Sequence, residues 1–197
     1  MAKQIWKPGN MLYPLPAVMV STADKSGKSN IITIAWTGTV CTNPPMLSIS
    51  VRPERYSHGI ITETGEFVVN LVTKDLVCAT DYCGVKSGRD VDKFDAMHLT
   101  PLNLPQVSAP GIAESPVNIA CKVSRILHLG SHDMFLADVV AVHADEHYMD
   151  ENNRFDLNLA KPLVYSHGEY MGTGKQLGTF GYSVKKKKKT SKKATRN

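Results

Sequence analysis

Short runs in which hydrophobic and polar residues alternate dominate the chain, and long helical periods are scarce. Pro14–Ser21, PLPAVMVS, reads as a strand with proline at its start, where a missing N–H harms a ladder least. Asp24-Lys25-Ser26-Gly27-Lys28 is a polar hairpin loop, and Asn30–Trp36 is the returning strand. Met46–Val51 gives a third strand, after Thr-Gly-Thr-Val-Cys-Thr and a stiff Asn-Pro-Pro. Connections this short leave no room for crossover helices, so the pattern predicts an antiparallel meander.

Helical spacing enters at Pro53–Glu63, where Tyr56, Ile60 and Glu63 share a face and Gly65 stops the run. Glu66–Leu71 returns to strand. Thr73 is placed to cap a short helix over Lys74–Cys83, with Gly84 at its end. Residues 86–114 are polar and broken by prolines, with a small helix expected near Val91–Phe94. A loop of this length is expected to be a functional cover or a partner contact. Two long strands, Ser115–Leu129 and Phe135–Tyr148, flank Gly130-Ser131-His132-Asp133. A short strand at Leu163–Ser166 precedes a glycine-rich run from Gly168 to Gly181. The sum is a mainly β chain with short added helices, and a closed antiparallel barrel is the expected architecture.

Composition adds little to this until charge is considered. A chain of 197 residues, 42% hydrophobic and 21% charged, suits one ordinary globular domain, here 1–184. The net charge is +5, but 185–197 holds seven lysines and one arginine without an acid. Removing those eight charges leaves the body at −3, which argues against a specific nucleic-acid surface. The tail is expected to be a disordered, solubilising end, with nonspecific attraction to anionic surfaces as the alternative. Cys41, Cys78, Cys83 and Cys121 form no CxxC pair, so reduced structural thiols in a cytoplasmic protein are expected. Neither a signal peptide nor an apolar run long enough to span a membrane is visible.

The chemistry concentrates between Asn30 and Arg52. Ser48, Ser50 and Arg52 lie on one face of their strand, and Trp36-Thr37-Gly38-Thr39 ends the preceding run. Hydroxyls, backbone donors and a guanidinium suit a phosphate-bearing ligand with a flat apolar part. A wetted edge face is the competing explanation. Ser57 and His58 are adjacent in sequence, which does not make a nucleophile and base. His132 and Asp133 lack a third ligand, so no metal is expected. Neither GxGxxG nor GxxxxGK[ST] occurs. Tyr165 and Tyr170, with His167 between them, end a short strand, and packing of a barrel rim explains them equally well.

PLPAVMVSTADKSGKSNIITIAW, PPMLSISVRPERYSHGIITETGEFVVNL, KFDAMHLTPL, GSHDMFLADVVAVHAD and PLVYSHGEYMGTG follow one another in this order from about Leu12 to Gly174. The ordered set resembles the flavin reductase-like family, the FMN-binding split β-barrels, and most closely its flavoredoxin-type branch. That resemblance implies a six-stranded antiparallel Greek-key barrel with added helices, working as a homodimer that binds FMN noncovalently. Asn30, Ala35, Trp36 and Thr37 match the segment beside the isoalloxazine ring. Ser50, Arg52, Ser57 and His58 match the segment near the ribityl chain and phosphate. His132 matches a turn histidine near the flavin or nicotinamide, the one catalytic candidate, and Tyr170 matches an aromatic that covers the ring.

By the same resemblance the protein is expected to pass reducing equivalents from NADH or NADPH through FMN to flavin or another acceptor. The alternatives are a flavoredoxin-like carrier between redox proteins, without direct NAD(P)H use, and a nonenzymatic flavin-binding or interaction protein.

Overall fold

The computed structural model describes residues 1–185; the expected basic tail lies almost wholly outside them. The chain enters through β1 (Leu15–Pro16) and passes at Ala17 into β2 (Val18–Ala23), a strand buried on both faces. Val18 and Val20 point into one core while Met19 points into another, as a period of two requires. The hairpin that follows is held by Asp24, whose Oδ1 accepts bonds from the Ser26 and Lys28 amides, with Gly27 at φ 86°. It returns as β3 (Ser29–Ile34).

A bend at Ala35-Trp36 leads to β4 (Thr37–Cys41) and, past a turn, to β5 (Met46–Val51). Next come α1 (Tyr56–Thr64), closed by left-handed Gly65, and β6 (Glu66–Leu71). A 3-10 turn at Lys74–Leu76 runs into α2 (Val77–Val85), followed by the one-turn α3 (Lys93–Ala96). A small ladder of β7 (Pro101–Leu102) and β8 (Gly111–Ile112) precedes the long hairpin of β9 (Val117–His128) and β10 (Asp133–Ala144). The short pair β11 (Leu163–Ser166) and β12 (Glu169–Gly172) completes the order.

The main sheet is antiparallel with order β3-β2-β6-β9-β10-β5-β4. Two expectations are corrected here. The sheet has seven strands rather than six, and among the described residues its edges β3 and β4 are not paired, so no closed Greek-key barrel forms. Nor do the first three strands make a meander. β5 pairs with β10 and β4, not with β3: β2 takes β3 on one edge and β6 on the other, and the β9–β10 hairpin lies between β6 and β5. The sheet nonetheless curls. Ile32 and Ile34 of β3 share one core with Leu47, Ile49 and Val51 of β5, joined by Phe67 and Phe135. Burial of both flanks in one apolar interior holds the curl without a closing ladder.

Thr37–Cys41, a connection by its sequence pattern because it lacks hydrophobic alternation, is instead the exposed edge strand β4. Gly84 lies within α2 rather than ending it. A Cβ there would meet Thr33 Cβ at 3.2 Å, so its role is close packing of helix on strand. Within the excursion over 86–114, Leu104, Val107 and Ala109 seal the outer face of β6 and β9, while 86–89 and Lys93 line a pocket against α1 and β3.

Buried polar groups tie these layers together. Asn70 Nδ2 donates to Met19 O and Ser21 Oγ, both 2.9 Å, while its Oδ1 accepts from Ile112 N and Asn118 Nδ2. Lys93, buried at the start of α3, donates from Nζ to Ile31 O and Cys83 O. Its ammonium thus satisfies a carbonyl at the end of α2 and one on β3. Burial holds its pKa below the usual lysine value.

Candidate functional site

A cleft runs along β3 where the bend at Ala35-Trp36, the end of β5 and the C-terminal turn of α2 meet. Its larger part, about 570 Å³, is lined by Thr33–Trp36, Ser50–Arg52, Asp81 and Gly84, and by His132, Tyr165 and Tyr170. A smaller pocket of about 160 Å³ continues from it, lined by Asn30, Ser57, Arg89 and Lys93 among others. Ile32, Arg55 and Gly84 line both, so the two are ends of one cleft. The larger volume falls within the roughly 300–1,000 Å³ of ordinary small-molecule sites.

The small end is basic and tightly built. Asn30, 3% exposed, donates from Nδ2 to Ser57 Oγ at 2.7 Å. Gly88 comes so close that a Cβ would lie 2.0 Å from Asn30 Oδ1. Arg55, Lys86, Arg89 and Lys93 line the pocket against one acid, Glu54. Arg89 lies over the Tyr56 ring at 5.5 Å and donates to Glu54 O at 3.3 Å, which aligns its guanidinium. Arg55 is the N-cap of α1 and makes no side-chain cap bond; the His58 amide donates to Arg55 O at 3.0 Å, which leaves the Tyr56 and Ser57 amides of the first turn for a ligand.

The large end is walled by rings. Trp36 and His132 lie parallel within 5° at 6.3 Å between centroids, and Tyr165 stands 6.4 Å from Trp36. Tyr170 meets Tyr165 at 5.9 Å. Burial first, then the Asp81 carboxylate, pushes the Tyr170 phenol up to about 12, so it is a neutral donor at working pH. Ser50 N–H donates to Trp36 O at 2.8 Å and Thr37 Oγ1 to Ser48 O at 2.7 Å, fixing the Ala35–Thr37 bend.

The structure therefore brings together most residues picked out in the sequence, with departures at Thr37, Ser50, Arg52 and His58; Ser50, like Arg52, lines the large end and not the basic pocket. Arg52 lines the large end rather than the basic pocket; its side chain is 54% exposed and reaches Glu54 at 3.6 Å. His58 lines neither end. One helical step turns it from Ser57 toward β10, where its Nε2 lies 2.8 Å from Asp133 Oδ2 and its ring meets the edge of Phe135. Thr37 and Ser48 line an adjoining groove shared with Gly9–Tyr13 and Leu15.

Sequence reasoning missed Arg55, Gly88 and Arg89. Arg55, three residues past Arg52 at a helix start, was the available signal; Ser87-Gly88-Arg89 was hidden in what read as a long loop. The two buried thiols are poor nucleophiles: burial pushes Cys83 up to about 11 and Cys121 up to about 12.

The model of the flavin reductase like domain matches residues 11–174. A protein of uncharacterised function from Archaeoglobus fulgidus is 29% identical over 162 residues, 82% of this chain and 89% of that protein. The flavoredoxin of Desulfovibrio vulgaris (Miyazaki F) superposes with a TM-score of 0.87 at 30% identity, covering 93% of this chain and all of that one. The flavoredoxin from Methanosarcina acetivorans gives 0.84 at 29% identity, over 93% of this chain and all of that one. With a match over most of its length and a mainly β fold shared with these structures, the chain belongs to the flavin reductase like family.

Proposed function

We propose that this protein binds FMN in the cleft, keeps it bound, and passes electrons between redox proteins. One observation carries the reading: the cleft joins a small basic pocket at a helix N-terminus to a larger chamber walled by flat rings. Those are the two halves of a flavin mononucleotide. Arg55, Arg89 and the Ser57 hydroxyl hold the phosphate, with the uncapped first turn of α1 adding backbone donors. Asn30 orients Ser57. The Ala35–Thr37 bend presents backbone groups to the ring, and Trp36, Tyr165 and Tyr170 exclude water around it. FMN, when bound, supplies the one- and two-electron chemistry; the chain supplies binding, orientation and charge.

The carrier reading, second in rank from sequence alone, is supported by the likeness to two flavoredoxins over nearly the whole chain. Use of NADH or NADPH is the second reading, favoured by the size of the ring-walled chamber and by His132 on its rim. A homodimer fits both, because β4 is a sheet edge with Val40 exposed beside the cleft.

Titration of flavin-free protein with FMN and with riboflavin tests the site. FMN is expected to bind at least about tenfold tighter, the contribution of charge-assisted bonds to phosphate. Equal affinities would overturn the assignment of the basic pocket. Anaerobic mixing of the yellow protein with NADH or NADPH separates the readings: rapid bleaching selects the reductase, and persistent colour selects the carrier.

A further inference from the structure

The turn between β9 and β10 carries His132 to the ring end of the cleft, and its first strand residue, Asp133, is only 6% exposed. Each carboxylate oxygen faces a different element. Oδ2 lies 2.8 Å from His58 Nε2 on α1, and Oδ1 lies 2.8 Å from His128 Nδ1 at the end of β9. In the ladders Asp133 sits opposite both His128 and Val51, and Val51 lines the cleft. The turn itself is closed by Leu129 N–H donating to His132 O at 3.0 Å, with Gly130 at φ 90°. A desolvated carboxylate needs donors, and two charge-assisted bonds fix it more firmly than packing alone would.

The consequence lies in what else those elements hold. α1 bears His58 on one side and, one residue earlier, Ser57 on the side of the basic pocket, with Arg55 at its cap. Any rotation of α1 about its axis moves Ser57 and His58 together. The His58–Asp133 bond ties the first turn of α1 to the start of β10, and the His128–Asp133 bond ties the two strands across the turn that bears His132.

We infer that Asp133 is a positioning residue that holds the phosphate end and the ring end of the cleft in one frame. It acts through His58 on the first end and through His128 on the second, and touches no ligand itself. The inference rests on the FMN reading above and names a device within it that neither the cleft lining nor the sequence motif indicates.

The experiment measures FMN and riboflavin affinities side by side, because only FMN reports the phosphate end. In His58→Leu the ratio of the two affinities is expected to fall roughly tenfold with riboflavin binding kept within about twofold. His58→Gln, which restores an N–H donor, is expected to recover most of the ratio. His128→Leu is expected to weaken both flavins about equally, near threefold, and to leave the ratio intact. Should His58→Leu not fold, Asp133→Asn takes its place, with one acceptor oxygen and an NH2 donor where the carboxylate has two acceptors, and a fall in ratio of about threefold is expected. An unchanged ratio in the folded variant, or a Gln variant as poor as Leu, overturns the inference while wild-type FMN binding keeps the flavin reading. Wild-type protein that binds neither flavin overturns both.

Discussion

The two ends of the cleft are built by opposite means. At the basic end, polar atoms are fixed by one another: Asn30 bonds Ser57, Arg89 bonds Glu54 O and lies on Tyr56, and Gly88 leaves no space between. At the ring end the contacts are between aromatic faces and edges 5.9 to 6.4 Å apart, and Trp36 stays more than a third exposed. Fixed donors discriminate by charge and distance, and a small displacement costs them much. Ring walls discriminate by flatness and tolerate a shift. One cleft thus has an address at one end and working room at the other, which suits a cofactor that is held by its phosphate and used at its ring.

The widest breach of this contrast is expected from Gly88→Ala. The new Cβ would lie 2.0 Å from Asn30 Oδ1 and 2.9 Å from Tyr56 Cδ1, so either the Asn30 amide that bonds Ser57 or the Gly88 backbone must shift. FMN affinity should fall about a hundredfold, with riboflavin far less affected, by fluorescence titration. Next, Arg55→Ala and Arg89→Ala should each weaken FMN about tenfold and flatten its salt dependence, while riboflavin binds as before. Arg89→Lys should not restore binding, since an ammonium lacks the planar fork stacked on Tyr56. At the other end Trp36→Leu should weaken FMN and riboflavin alike, about fivefold, and leave their ratio unchanged. A selective loss of FMN in that variant would erase the distinction between the ends.

Arg52→Ala should cost about twofold or less, because an exposed guanidinium near Glu54 contributes little. A loss equal to that of Arg55 would return the phosphate to the position the sequence suggested. The smallest effect concerns the joint between the ends. His128 first and His58 second hold the Asp133 carboxyl below its ordinary value of 3.8. A depressed carboxylate stabilises the fold above its unfolded pKa and loses that contribution as pH falls through the folded pKa. The melting-temperature gap between wild type and Asp133→Asn should therefore narrow as pH is lowered below about 4.

How far the sequence reached differs between these regions. Glu66–Leu71 and Met46–Val51 are legible because short runs of buried, strand-favouring residues with flanking Gly or Pro mark them locally. β4 is not, because an exposed edge strand buries nothing that could print a pattern. The ring end was visible in Trp36, His132 and Tyr170, each beside a strand end. The basic end was half visible: Asn30 and Ser57 were picked out, but Arg52 was preferred to Arg55, and Arg89 was lost in a loop. Period-two spacing places Arg52 on the face of Ser48 and Ser50, whereas the chain leaves β5 at Val51 and turns before Arg55.

Asn30–Arg52, read alone, determined that this protein has strands with a polar seam suited to a phosphate and a flat ring. Local propensity and alternation suffice for that, since they depend on neighbours a few residues apart. Only the tertiary structure decided which cations line the basic pocket, that among the described residues the sheet runs over seven strands without a closing ladder, and that His58 turns from the cleft toward Asp133. Those outcomes depend on pairs far apart in the chain: Asn30 with Gly88, β5 with β10, and His58 with a carboxylate 75 residues away. Burial and hydrogen-bond satisfaction select such pairs, and they leave no period in the sequence to read.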